Sequence, residues 1–330
     1  MENKILENAV DFIGRAANDL WDERLSPKQQ LKYSTIELYE GIELVIKARL
    51  IQEHWALVVA NFDKYKKDSF LDGSFNSVRF DEACKRLSDF CDGELPKSTR
   101  KAFEDLRLLK NRYVHFCCEK PRPEVIAIQI AAWHHILKML EDEEFLGPLS
   151  MEPQELVMAA KAKMLKSEDF LARKYEDLKS ELETLRSHGT VVAHCPICDY
   201  DSLILGDPGD DCPRCLVCET DARPEQLAEK YAAAKDPFWK HPKHGVDDGI
   251  AWCDECEYQA VAPAGDEIKE TIVDQLKNVQ RESGEDWEYW ICFHCGAPQI
   301  GPPGACDECG EYSFDFGEDA KCPGCFSRKP

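Results

Sequence analysis

The run Leu106-Arg107-Leu108-Leu109-Lys110-Asn111-Arg112-Tyr113-Val114-His115-Phe116 decides how the first half of this 330-residue chain reads. Phe103, Leu106, Leu109, Tyr113 and Phe116 recur at helical spacing and predict an amphipathic helix with one face in a core. Arg107, Asn111 and His115 stand four residues apart, so a neighbouring face carries a cation, an amide and an imidazole. Imidazole moves a proton near neutral pH, and the cations around it suit a phosphate. The combination points to RNA chemistry that needs no metal.

Outward from this run, the same period recurs on both sides. Ile5, Leu6, Ala9, Val10, Ile13, Ala16, Ala17 and Leu20 predict a first helix. Ser26-Pro27-Lys28-Gln29 reads as a cap, a first-turn proline and a capping-box glutamine opening a long second helix towards Val59. Further helices are expected at about 80–91, 98–117 and 123–145, with Pro121 and Pro123 ending the run soon after His115. A loop is expected at 68–77 with Gly73 as its turn residue. Glu43 and Lys47 read as an i, i+4 ion pair, and His134 and His135 as core or surface histidines of an apolar helix. Residues 1–147 therefore form an α-helical bundle. Residues 148–190 read as a helical linker in which Leu171, Tyr175, Leu178, Leu182 and Leu185 trace a short coiled-coil stripe. That stripe would either pair two subunits or pack back on the bundle.

The run Ile42-Glu43-Leu44-Val45-Ile46-Lys47-Ala48-Arg49-Leu50-Ile51-Gln52-Glu53-His54-Trp55, taken with Asn111 to His115, resembles the HEPN superfamily of small all-helical domains over roughly residues 1–147. Enzymes of that family carry an arginine, a polar residue, three further residues and a histidine near the end of a late helix. Asn111 and His115 match the polar residue and the histidine, while Lys110 stands at the arginine position. Lysine keeps the charge but lacks the planar fork that grips two phosphate oxygens, so Arg107 and Arg112 are candidates to replace it. The resemblance implies a homodimer that cleaves an RNA substrate without metal. In that chemistry His115 takes the proton of a ribose 2′-hydroxyl, Lys110 or Arg107 offsets charge on the phosphoryl oxygens, and Asn111 orients the phosphate or the imidazole. Lys110 and His115 lie about 140° apart around an ideal helix, so one phosphate meets both only if the helix end distorts or two subunits contribute. A plainer reading of the same residues is a helix end whose basic side chains favour the negative end of the dipole.

Beyond residue 190 the chemistry changes. Thirteen of the 17 cysteines lie there, in C-x2-C knuckles at Cys195/Cys198, Cys253/Cys256, Cys292/Cys295, Cys306/Cys309 and Cys322/Cys325 and in the triplet Cys212, Cys215, Cys218. Two knuckles supply the four thiolates of one structural zinc ion, so twelve ligands predict about three structural Zn2+ ions. In chain order the sets are Cys195, Cys198, Cys215 and Cys218; Cys253, Cys256, Cys292 and Cys295; and Cys306, Cys309, Cys322 and Cys325. Cys212 competes with Cys218, and the last four knuckles could also interleave, because spacing leaves connectivity open. Complete four-cysteine sets leave His194 and His294 spare. An iron–sulfur cluster is the runner-up metal group. Short strands are expected at 191–192, 203–205 and 288–291, with a helix near 266–281, so residues 191–330 read as three small β-rich modules resembling zinc ribbons in general.

The net charge of −22 is unevenly placed: residues 190–330 hold 29 acidic against 12 basic side chains. An acidic tail is a poor general nucleic-acid binder; it reads as a solvated, solubilising surface, as a dock for a basic protein partner, or as a cover that lies over the cationic face of 107–112 and restrains it. No apolar run is long enough to span a bilayer and Met1-Glu2-Asn3-Lys4-Ile5 lacks the apolar core of a signal peptide, so no membrane association is expected. The cysteines suit a reducing cytoplasm, and Cys84, Cys91, Cys117 and Cys118 read as small buried residues. Two functions follow. One is a HEPN-type endoribonuclease, such as a toxin or phage-defence effector, whose acidic zinc-ribbon tail recognises a partner or restrains cleavage. The other is a non-catalytic protein-binding scaffold.

Overall fold

In the computed structural model, which describes residues 2–61, 63–91, 95–142, 150–206, 213–235, 250–266, 268, 289–300, 303–310, 312–314, 322 and 325, the apolar stripe Ala9, Val10, Ile13, Ala16 and Ala17 of α1 (Glu2–Leu20) is fully buried against α2 (Pro27–Glu53). The two helices approach so closely that a Cβ on Gly41 would meet Ile13 Cγ1 at 2.6 Å. This explains a glycine in mid-helix, where it otherwise costs about 1 kcal/mol relative to alanine. The start of α2 forms the expected capping box, with Ser26 Oγ accepting from the Gln29 amide and Gln29 Oε1 accepting from the Ser26 amide. Its end differs from expectation. α2 stops at Glu53, His54 Nδ1 accepts from the Ala56 amide, and Trp55–Val58 is a 3-10 turn.

The short α3 (Lys67–Asp72) occupies part of the expected loop because Phe70 has a core to fill between Trp55 and Phe75, and Gly73 ends it with φ +81. α4 (Phe80–Phe90), α5 (Lys97–His115) and α6 (Arg122–Glu141) complete the bundle, with Phe103, Leu106 and Trp133 at its centre. Gln129 of α6 is fully buried and satisfied, donating to Thr35 Oγ1 at 2.7 Å and to the Leu31 carbonyl at 3.0 Å on α2. Buried polar groups are tolerated when paired in this way. His135 is likewise in the core, with Nδ1 3.1 Å from Thr99 Oγ1, and the Glu43–Lys47 pair forms at 2.5 Å.

The stretch 155–186 is two helices, α7 (Met151–Met164) and α8 (Glu168–Ser187). Val157, Ala160, Met164 and Phe170 join the helical core, so the first compact unit runs Met1–Arg173 and the second Lys174–Pro330. Within 148–190, expected as a helical linker, the described residues up to Arg173 fall in the first unit and those from Lys174 in the second. From Tyr175 onward the leucine stripe packs inside the second unit. Leu182 packs on Val192 and Ile204, flanked by Tyr175, Leu178, Leu185 and Leu216.

In the second unit, β1 (Val191–His194), β2 (Asp201–Leu205) and β3 (Arg214–Cys215) form an antiparallel sheet in that order, with Val192 opposite Ile204. After it, α9 (Pro224–Lys235) lays Leu227, Ala228, Tyr231 and Ala232 against a second sheet. That sheet comprises β4 (Ala251–Trp252), β5 (Gln259–Pro263), β6 (Tyr289–Cys292), β7 (Pro298–Ile300), β8 (Gly304–Ala305) and β9 (Tyr312–Ser313), ordered β7-β6-β5-β4-β9-β8. Only the β4–β9 pairing in it is parallel. The chain is thus a helical unit followed by a β-rich unit carrying cysteine clusters. The expected helix near 266–281 falls largely outside the described residues. No described helix is long and apolar enough to cross a membrane.

Candidate metal centres and the solvent face of the fifth helix

The C-x2-C knuckles converge into three groups, Cys195, Cys198, Cys215 and Cys218; Cys253, Cys256, Cys292 and Cys295; and Cys306, Cys309, Cys322 and Cys325, each with its sulfurs within 4.8 Å of one another. These are the pairs adjacent in chain order rather than the interleaved alternative. Cys218 takes part, while Cys212 lies outside the described residues. Cross-knuckle sulfurs lie 3.6–3.8 Å apart. Four sulfurs at about 2.3 Å from one ion form a tetrahedron with edges of about 3.8 Å, so the groups fit a single four-thiolate ion. They are too far apart for a disulfide and too close to surround a cluster of several irons. Each group could therefore hold one metal ion, with no open coordination position.

Second-layer groups fit thiolates as well. Ser202 Oγ lies 3.2 Å from Cys215 Sγ, the buried Gln299 Nε2 donates to Cys253 Sγ at 3.6 Å, and the Cys218, His294 and Cys322 amides donate to Cys215, Cys292 and Cys306 sulfurs. Such donors stabilise negative sulfur and orient it. His194 and His294 stay outside the ligand sets. His194 hydrogen-bonds Asp201 and Asp199, both at 2.9 Å, and although burial works against its charged form these carboxylates hold its pKa above the ordinary value. His294 stacks flat on Tyr258, ring centres 4.2 Å apart.

One feature of the knuckles escaped the sequence reading. The residue after the second cysteine is left-handed in five of them: Asp199, Glu219, Glu257, Gly296 and Gly310 have φ of 65, 53, 54, 72 and 76. Each donates its amide to the carbonyl of the first cysteine, at 2.8–3.1 Å. Glycine meets this conformation without a Cβ penalty, and aspartate suffers less than bulky apolar residues. The signal was available in part: Gly296 and Gly310, and more weakly Asp199, carry it in the sequence, whereas Glu219 and Glu257 do not.

In the helical unit, α5 stays regular to His115, and the chain then leaves it at Phe116. Its core side carries Ala102, Phe103, Leu106 and Leu109. Lys110 turns towards α2, where Nζ lies 3.0 Å from Glu40 and 4.8 Å above the ring of Tyr39. Burial and the nearby Glu43 push the Tyr39 hydroxyl up, so the ring under Lys110 remains neutral. Arg107 is held by Glu104 at 2.5 Å and by Asp81 at 3.7 Å. Both cations are thus paired with carboxylates.

Asn111, Arg112 and His115 lie on the outer side with Leu108, and their side chains make no hydrogen bond or ion pair among the described residues. Arg112 and His115 are i, i+3 neighbours and Asn111 and His115 are i, i+4, so the three share one surface. Beside Arg112, a groove of about 460 Å³ runs between α5 and α6, with Leu109, Ala127 and Ile128 along it. Phe116 is 81% exposed at the end of this face. Cys84 and Cys91 are buried as expected, burial pushing the Cys84 thiol up to about 11, but Cys117 is exposed and Cys118 half-buried because the chain has left the helix there. Compared with models of protein families, with curated proteins and with solved structures, the chain matches none.

Proposed function

We propose that the helical unit is a HEPN-type, metal-independent endoribonuclease that acts as a homodimer, and that the cysteine unit holds three structural Zn2+ ions in ribbon-like modules. The observation that carries the nuclease reading is the outward trio Asn111, Arg112 and His115, an amide, a cation and an imidazole with no internal partner among the described residues. Arg112 replaces Lys110 in offsetting phosphoryl charge, because Lys110 is engaged by Glu40. His115 takes the 2′-hydroxyl proton, the 2′-oxygen bonds to phosphorus, and the bond to the 5′-oxygen breaks as that oxygen receives the proton back. The products are a 2′,3′-cyclic phosphate and a 5′-hydroxyl end. A second copy encloses the RNA, which an open surface on one helix does not. The zinc modules do no chemistry; their carboxylates dock a basic protein partner that governs a toxin or phage-defence effector in a reducing cytoplasm.

A specific observation favours the scaffold reading too: Lys110, at the family's arginine position, is committed to Glu40 and Tyr39. In that reading both units serve protein–protein binding. Zinc-loaded protein incubated with mixed RNAs, with and without EDTA, separates the two. Cleavage to cyclic phosphate ends that is lost in His115→Ala and Arg112→Ala, with fold and metal content unchanged, establishes the nuclease. Absence of cleavage by a folded dimer, and in Lys110→Arg as well, establishes the scaffold.

A further inference from the structure

The knuckle-closing position accepts a side chain at Asp199, Glu219 and Glu257, so the knuckle itself does not demand glycine there. At Gly296 a different neighbour does. A Cβ on Gly296 would lie 2.9 Å from Gly206 Cα and 3.1 Å from its nitrogen, and a Cβ on Gly206 would lie 2.3 Å from the Cys295 carbonyl oxygen. Gly310, in the equivalent place after Cys309, has nothing within 4 Å. Backbone therefore lies directly on backbone between the end of β2 and the outgoing knuckle of the second cysteine group.

Both sides of this contact lead to metal ligands. Gly206 follows β2, whose Leu203 pairs with Cys215 and whose Ser202 touches the Cys215 sulfur. Gly296 donates its amide to Cys292 at 2.9 Å. A second link runs through α9, which begins five residues after Glu219 and packs on β5. There the Tyr231 ring lies 4.9 Å from Phe293, inside the knuckle Cys292–Cys295, and Tyr231 Oη accepts from the Gly265 amide at 2.9 Å.

We propose that metal occupancy of the first and second cysteine groups is coupled, each loaded group presenting the ordered surface on which the other closes, with the Gly206–Gly296 contact as its main carrier. The proposal rests on the reading that these groups hold metal. Coupling is reciprocal: whatever factor a metal in the second group adds to affinity at the first, the first returns to the second. The pair thus loads and empties together.

The test uses the full chain with Cys306→Ser/Cys322→Ser, so that only the first two groups report, and Zn2+ is titrated against a chromophoric chelator. Adding Cys253→Ser/Cys292→Ser lowers affinity at the first group at least about fivefold, the lower range for linked sites. Gly296→Ala shrinks that difference, while Gly189→Ala, equally left-handed but with nothing within 4 Å, leaves it unchanged. Equal affinity at the first group with and without the second overturns the proposal. A difference undiminished by Gly296→Ala removes the glycine contact as its carrier. A wild-type chain without metal by elemental analysis fails the metal reading itself, a result separate from metal bound without coupling.

Discussion

The helical unit and the cysteine unit solve the problem of a folded core by different means. The first buries a continuous set of large apolar side chains, Ile13, Leu38, Ile42, Phe103 and Trp133 among them, between helices of up to 27 residues. The second has several strands of only two residues, and its most buried positions include the ligand cysteines Cys195, Cys253, Cys292 and Cys322. Strands so short add little pairing of their own to the sheets they join. The difference teaches that the first half rests on hydrophobic burial alone, whereas the second combines apolar burial with cysteine groups that could each hold an ion.

The largest effect that would break this contrast is metal removal. A strong chelator at neutral pH withdraws a binding contribution of about 10–16 kcal/mol per site and unfolds the second unit, while the helical unit retains its circular dichroism and its resistance to protease. Loss of both together would show that the units do not stand on separate footings. Next in size is Trp133→Ala, which empties a fully buried indole site. It costs about 3–5 kcal/mol in the melting of the helical unit and leaves zinc stoichiometry unchanged. The smallest effect concerns Glu37, whose pKa is raised by burial first and then by Asp19. A raised carboxyl disfavours the folded state once ionised, so the penalty is absent below the unfolded value of 4.5 and grows as pH rises through the folded one. Glu37→Gln raises Tm at pH 7 by no more than about 2 °C, and the gain vanishes below pH 4.5, as a pair of thermal melts would show.

Legibility followed the range of the interactions. The capping box of Ser26 and Gln29, the stripe of α1 and the Glu43–Lys47 pair depend on neighbours within four residues, and the spacing of residues was enough to place them. The three cysteine groups were also legible, because C-x2-C presets two ligands locally and chain order supplied the pairing. What depended on distant chain was not. Lys110 could be placed 140° from His115 by helix geometry, but its capture by Glu40 and Tyr39 is a matter of α2 packing on α5. The leucine stripe of α8 was plain as a stripe, and its destination against Val192 and Ile204 was not, since an apolar face does not name what covers it. Exposure of Cys117 likewise follows from where α5 ends.

That destination of the α8 stripe determines where the chain should be cut for expression. A fragment beginning at 191, where the first C-x2-C module starts by eye, strips Leu182 from Val192 and Ile204 and leaves a sticky apolar sheet face that invites aggregation. One beginning at 174 keeps Tyr175, Leu178, Leu182 and Leu185 against that face.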